Sequence, residues 1–359
     1  MLPVLVCLKN LIKTKSYHID FPLFRLHYQV TVCLLLAFCV ILTGKVMFGD
    51  TIDCTNHIHG HKDLFDNACY ATGTFSRFLK KSNRTNAKPA RYTYPGLMMN
   101  TAGEIDIRWQ NYYQYVPIML FIQAVLFYFP HYLWKIWENG TIGSVCSRLS
   151  ENKLCPSDYL EANHEIVYYL HNCFRFNKGL VYKYYFCHIL LLINLVAQVL
   201  VMNAAFNYQY ISYGYMCFRY YIFQENFYGL SHLGDSVTSD MSNPMDFLFP
   251  KMTNCHLDWP SVAGFSPDKL DFVCILPLNI LHDKFYLLLW GWLCVLGALT
   301  VCQILYDISY TMLRRSVIRR KYGKDCSLAE AFMLDLIRHN TDKIAFSALL
   351  SKLYVTSTV

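Results

Sequence analysis

The stretch YYQYVPIMLFIQAVLFYFPHYLW, residues 112–134, carries no Asp, Glu, Lys or Arg. A helix needs about 20 mainly apolar residues to cross a hydrocarbon core of roughly 30 Å, and this stretch suffices. Three more windows resemble it: residues 26–44, 184–218 and 285–306 are also free of formal charge. One such window reads as a buried core helix as readily as a membrane span. Four of them in 359 residues read as an all-α membrane protein with four transmembrane helices.

Composition agrees. Hydrophobic residues make up 54% of the chain and charged residues only 16%, against about 25% charged in a soluble domain. About 25 mixed residues precede the first window, and no small-x-small site follows Gly44, so that window is not a cleavable signal. The expected organisation is an N-terminal arm 1–25, spans 26–48, 112–134, 184–206 and 285–308, loops 49–111 and 207–284 on one side, and a loop 135–183 and tail 309–359 on the other.

Lysine and arginine near the membrane set the orientation. The arm holds four, the 135–183 loop six and the tail nine, against eight and four in the other two loops. Most of the eight lie between Arg77 and Arg91, away from the membrane ends. Both termini and the 135–183 loop are therefore expected in the cytoplasm, as a helical cytoplasmic domain. The tail cluster Arg314, Arg315, Arg319, Arg320, Lys321 and Lys324 is expected at the inner leaflet, facing acidic membrane lipid.

That topology sorts the 15 cysteines. Cys54, Cys69, Cys255 and Cys274 fall on the oxidising side, where disulfides persist. Cys7, Cys146, Cys155, Cys173 and Cys326 face the reducing cytosol, and Cys33, Cys39, Cys187, Cys294 and Cys302 lie within the helices. Cys217 is left over and reads as a buried free thiol. Four outer cysteines allow three connectivities. Two cross-linked outer loops with minor β content would present a stiff face suited to docking.

Other features are weaker. The arm places Leu2, Leu5, Leu8 and Ile12 on one helical stripe, which taken alone fits a helix lying on the membrane. Pro117 and Pro130 are candidate kinks in the second span. Trp109, Tyr112, Tyr113 and Tyr115 at one end of that span, and Tyr132, Trp134 and Trp137 at the other, read as aromatic belts. Asn194 and Gln198 share one face of the third span and should turn away from lipid. Asn83-Arg84-Thr85 is a glycosylation sequon on the outer side, whereas Asn139-Gly140-Thr141 is on the side where it stays unmodified. His57, His59 and His61 alternate as metal ligands sometimes do, but an ordinary loop explains them, and neither a metal nor a cofactor is expected. The sequence has no nucleophile–base pattern, phosphate loop or HExxH motif. An embedded enzyme would have to use His131 or His188 as base, with no evident carboxylate partner. No charge lies deep in any span, which argues against ion-coupled pumps and voltage sensors.

The residues 112–116, Tyr112-Tyr113-Gln114-Tyr115-Val116, resemble the signature of innexins, the invertebrate gap-junction proteins, with Tyr115 where the family usually has Trp. The resemblance continues through Phe121-Ile122-Gln123-Ala124, Phe127-Tyr128-Phe129-Pro130-His131 and Leu133-Trp134-Lys135. It extends to Phe24-Arg25-Leu26-His27-Tyr28, Ile52-Asp53-Cys54, Phe249-Pro250-Lys251-Met252-Thr253-Asn254-Cys255 and Cys274-Ile275-Leu276-Pro277-Leu278-Asn279. It implies a pore-forming oligomer, with eight subunits expected, that docks end to end with a hemichannel on an adjacent cell. Ions and small metabolites would pass by passive diffusion, with no catalytic residue and no nucleic-acid partner. It implies disulfides Cys54–Cys274 and Cys69–Cys255. It also folds the arm into the pore, against the surface-helix reading, which makes Met1, Leu2, Pro3, Val4 and Leu5 candidate pore-lining residues. The short tail fits an insect innexin or an innexin-like protein of an insect virus. The competing readings are a non-docking hemichannel that releases small solutes and an adhesive tetraspan with no pore.

Overall fold

The computed structural model describes residues 17–55, 62–79, 97, 105–151, 167–172, 174, 178–223, 244–259, 268–322, 327–341 and 343–355. The candidate pore residues 1–5, the histidines at 57, 59 and 61 and the sequon at Asn83 lie outside them. The helices are α1 (Pro22–Phe48), α2 (Lys62–Thr72), α3 (Val116–Glu138), α4 (Thr141–Glu151), α5 (Leu180–Ala205), α6 (Tyr210–Phe223), α7 (Pro277–Tyr322), α8 (Leu328–Asn340) and α9 (Lys343–Val355). The strands are β1 (Asp53–Cys54), β2 (Thr74–Leu79), β3 (Ile105–Gln110), β4 (Met252–Trp259) and β5 (Asp268–Ile275).

Among the described residues four helices are long and apolar enough to cross a membrane: α1, α3, α5 and α7. Their surfaces explain why. On α3 an exposed stripe runs through Tyr115, Ile118, Ile122, Val125, Phe129, Tyr132 and Ile136, at alternating steps of three and four. The opposite side, Val116, Leu120, Ala124, Phe127 and Trp134, is buried. On α5, Tyr182, Phe186, Ile189, Ile193, Val196 and Leu200 form a second exposed stripe. Helices apolar on every side belong in lipid or in a larger assembly. The polar side chains turn inward instead: Gln123, His131, His188 and Gln198 are buried, and Asn194 is half-buried.

Helix ends follow local chemistry. Pro22 opens α1 at a position where no helical N–H bond is lost. Within α1, residues Leu26–Thr31 form a π-helical stretch, and the Thr31 hydroxyl donates to the Leu26 carbonyl at 3.0 Å. Pro117 is the second residue of α3. Its missing N–H is one of the four with no helical acceptor, so Pro117 costs the helix no ladder bond. Pro130 sits inside α3, where a proline removes a ladder bond. The charge-free window 184–218 is not one span. Asn207 and Tyr208 adopt φ of 51° and 61°, left-handed values that end α5. The Asn203 carboxamide then accepts from Ile211 N at 3.2 Å, at the start of α6.

The chain divides into two compact units. The first comprises residues 1–34, 123–196 and 295–359. Its core gathers Phe21, Phe24, Trp134, Tyr184 and Phe332 with the inner face of α4 and more than half of α8. Ser327 and Glu330 form a reciprocal capping box at the start of α8. Asn139 and Gly140, at φ of 49° and 75°, turn the chain between α3 and α4. The buried Glu138 carboxylate accepts from Gly140 N at 3.0 Å and Ile142 N at 2.5 Å, capping α4. Turn chemistry therefore accounts for the Asn-Gly-Thr match there.

The second unit comprises residues 35–122 and 197–294. It holds one antiparallel sheet of five strands, ordered β1-β5-β4-β2-β3. Three strands come from the segment before α3 and two from the segment before α7. The two sets interleave: β1 pairs with β5, and β2 meets β4 through Phe75 and Asn254.

Candidate functional site

The sheet unit is stapled twice. Cys54 and Cys274 face each other in the β1–β5 register and are disulfide-bonded. Cys69, near the end of α2, is bonded to Cys255 in β4, with Cα atoms 5.8 Å apart. The bridges join residues 220 and 186 positions apart. All four cysteines are buried in a cluster with Ile52, Phe65, Leu257, Phe272 and Leu276. Three of the sulfurs, Cys54, Cys69 and Cys274, lie within 4.8 Å of one another. Each is already committed to a disulfide, so none is a thiolate able to ligate a metal. The α2 helix is held to the end of β1 by the Asp66 carboxylate, which accepts from Cys54 N at 2.9 Å. Burial raises the Asp66 pKa, and that hydrogen bond partly opposes the rise. Cys217 is free and buried.

The 112–116 signature lies beneath this sheet and works as a clamp. The Tyr112 hydroxyl donates to Asn279 Oδ1 at 3.0 Å, and Asn279 Nδ2 donates to the Pro250 carbonyl at 2.6 Å. His282 Nδ1 completes the cluster, 3.2 Å from Asn279 Oδ1. One buried carboxamide thus ties the start of α3, the lead into β4 and the first turn of α7. Tyr113 is buried against Tyr70, with ring centroids 5.1 Å apart, and burial pushes its hydroxyl up to about 12. Gln114 donates to the Tyr70 and Ala71 carbonyls at 2.5 and 3.2 Å. These are carbonyls that the end of α2 leaves without helical donors. Val116 is buried, while Tyr115 is 63% exposed.

This corrects the aromatic-belt expectation. Trp109, Tyr115 and Tyr132 are exposed. Tyr112, Tyr113 and Trp134 serve packing and hydrogen bonding instead, which a row of aromatics in sequence does not reveal.

In the first unit the segment leading into α1 is anchored on several sides. Asn340 exchanges two hydrogen bonds with the His18 backbone, accepting from its N–H and donating to its carbonyl. Trp134 Nε1 donates to the Ile19 carbonyl at 2.9 Å. Phe21 packs edge-on against Tyr184 and Phe332. His18 lies 3.2 Å from an Arg25 guanidinium nitrogen. Its pKa is lowered, first by burial and then by Arg25, with Asp20 opposing.

His131 does have a carboxylate neighbour, contrary to the sequence reading: Asp20 Oδ2 is 3.2 Å from its Nδ1. The ring is buried and stacked on Tyr28 at 3.6 Å, so the pair is a packing element. The two partners are 111 positions apart, too far for the motif to show it.

Inward-facing polar side chains, four apolar helices and a twice-stapled sheet define a multi-pass membrane protein with a cross-linked globular domain. A sequence model of the innexin family matches residues 20–357. Innexin shaking-B of Drosophila melanogaster is 30% identical over 364 residues, covering 96% of this chain and 92% of its own length. Innexin inx2 of Schistocerca americana is 29% identical, covering 98% and 97%. Innexin inx3 of Drosophila melanogaster is 30% identical, covering 85% and 73%. The chain belongs to the innexin family, whose members oligomerise into gap-junction channels and are not enzymes.

Proposed function

We propose that this chain is a subunit of a large-pore channel in the plasma membrane, with ions and small metabolites crossing by passive diffusion. Eight subunits form the ring, and hemichannels of adjacent cells dock through the stapled sheet units. Both termini and the 135–183 loop lie in the cytoplasm. Residues 1–5 line the narrowest part of the pore. Pro130 gives α3 a point of flexure. The observation that supports docking is the double staple. Two segments distant in the chain become one cross-linked sheet, a shape that survives without a partner and so is ready to meet one.

Dye transfer between paired expressing cells, compared with dye uptake by single cells, tests the proposal. Transfer between cells supports it. Uptake without transfer would reduce the protein to a non-docking hemichannel. The sequon at Asn83 favours that second reading, because a glycan on the stapled unit would stand between two docking faces. Restoration of transfer by Asn83→Gln would then identify the glycan as the obstacle. Absence of both transfer and single-cell conductance would leave only an adhesive tetraspan.

A further inference from the structure

The two disulfides of the sheet unit touch each other. Cys54, Cys69 and Cys274 place their Sγ atoms within 4.8 Å of one another, although Cys69 is bonded to Cys255 and the other two are bonded together. Both bridges are packed in one apolar cluster with Phe65, Leu257 and Phe272. They are not equally held. Cys54 lies on β1, a two-residue strand at one edge of the sheet. Short edge elements open locally at low free energy. Cys255 lies on β4, which has β5 on one side and β2 on the other. A reductant therefore meets Cys54–Cys274 first.

We propose that Cys54, Cys69 and Cys274 form a thiol–disulfide exchange site, through which reduction of the edge bridge also releases Cys255. Exchange proceeds by attack of a thiolate on a disulfide sulfur within its reach. A dithiol reduces Cys54–Cys274 to two thiols and becomes a disulfide itself. Cys54 gives up its proton and its thiolate attacks Cys69 Sγ. The Cys54–Cys69 bond forms, the Cys69–Cys255 bond breaks, and Cys255 leaves as a thiolate that takes up a proton. All four cysteines are buried, so the freed Cys54 meets the neighbouring bridge before it meets a solute. The outcome is larger than the loss of one bridge. Each native disulfide joins the segment before α3 to the segment before α7. Cys54 and Cys69 both precede α3, so one reduction followed by this exchange leaves no disulfide between the two segments. Attack by Cys274 gives Cys69–Cys274 instead and keeps one link. Either route puts Cys69 in the new bridge and sets Cys255 free. The consequence for docking rests on the proposed function. The exchange itself does not, and its test reads no channel activity.

Full-length wild-type protein in mild detergent is treated, without oxygen, with limiting doses of a water-soluble phosphine. A phosphine reduces a disulfide to two thiols and leaves no mixed disulfide. The reaction is stopped with N-ethylmaleimide in acidic denaturant, and the unreduced digest is mapped by mass spectrometry. A Cys54–Cys69 peptide should appear as Cys54–Cys274 is lost. Direct reduction of the second bridge alkylates Cys69 and Cys255 equally. Exchange does not, so alkylated Cys255 should exceed alkylated Cys69 by the amount of new bridges to Cys69. Reduced molecules that carry alkylated Cys54 and Cys274 beside an intact Cys69–Cys255 bridge, with no new bridge at any dose, would overturn the proposal. New bridges made chiefly to Cys255 rather than Cys69 would overturn it too, since the attacked sulfur would not be the one in the site.

Discussion

Replacing Asn279 with Ala removes the centre of the clamp beneath the sheet. The side chain is fully buried and makes contacts with Tyr112, Pro250 and His282. Alanine leaves the Pro250 carbonyl and His282 Nδ1 without this partner, and leaves the Tyr112 hydroxyl only a long contact, 3.5 Å, with the Leu248 carbonyl. Each buried group orphaned in this way costs about 1–3 kcal/mol, so the substitution should cost about 2–6 kcal/mol. Tyr112→Phe removes only one donor, and Asn279 Oδ1 retains His282, so its cost should be about 1 kcal/mol. At about 2 °C per kcal/mol, the melting point should fall by about 4–12 °C for Asn279→Ala and about 2 °C for Tyr112→Phe. Unfolding of a detergent-solubilised oligomer is commonly irreversible, so the variants must be compared at one scan rate. Fluorescence-detected size exclusion after heating is a suitable assay. The double variant should be less destabilised than the sum of the singles, because a phenylalanine in place of Tyr112 leaves no hydroxyl stranded. If Asn279→Ala melts no lower than Tyr112→Phe, or if the two effects simply add, the clamp does not carry the load assigned to it.

Other consequences are local. A Cβ at Gly214 would lie 2.2–2.3 Å from three atoms of the Trp290 indole, so Gly214→Ala should cost about 1–3 kcal/mol and lower the melting point in the same assay. His18 has a lowered pKa in the fold, so its contribution to stability is full above the unfolded value of about 6.5 and declines as pH falls below it. Wild type should therefore lose more stability than His18→Asn between pH 7.5 and 5.5. Burial, then the nearby Glu138 charge, pushes the Cys146 thiol up to about 11, so maleimide should leave Cys146 unlabelled at neutral pH in native protein and label it after denaturation.

The spans are legible because their signal is local: absence of charge over a helix length needs no knowledge of the fold. The disulfide pairs are legible only through family likeness, since spacing leaves three connectivities open. The sheet is harder. Two of its pairings, β1 with β5 and β2 with β4, join residues as distant as Cys54 and Cys274 or Phe75 and Asn254, and such pairing leaves no mark in a short window. The break at Asn207 is hidden because left-handed φ values there interrupt a sequence that stays free of formal charge throughout. The Asp20–His131 pair and the Asn340–His18 exchange likewise join residues that only the folded chain brings together. Ser327 and Glu330, by contrast, form an S-x-x-E cap, a local signal that a short window of sequence carries.

Junctional conductance between two voltage-clamped cells tests whether the cross-linked sheet is the docking element. One cell expresses wild type, and the other expresses the Cys69→Ser/Cys255→Ser variant at matched surface abundance. Closing a loop of about 186 residues is worth about 5 kcal/mol in chain-entropy terms, enough to loosen the α2–β4 junction without touching the spans. Paired wild-type cells should conduct, and the mixed pair should not. A mixed pair conducting as well as the wild-type pair would show that docking does not depend on this staple.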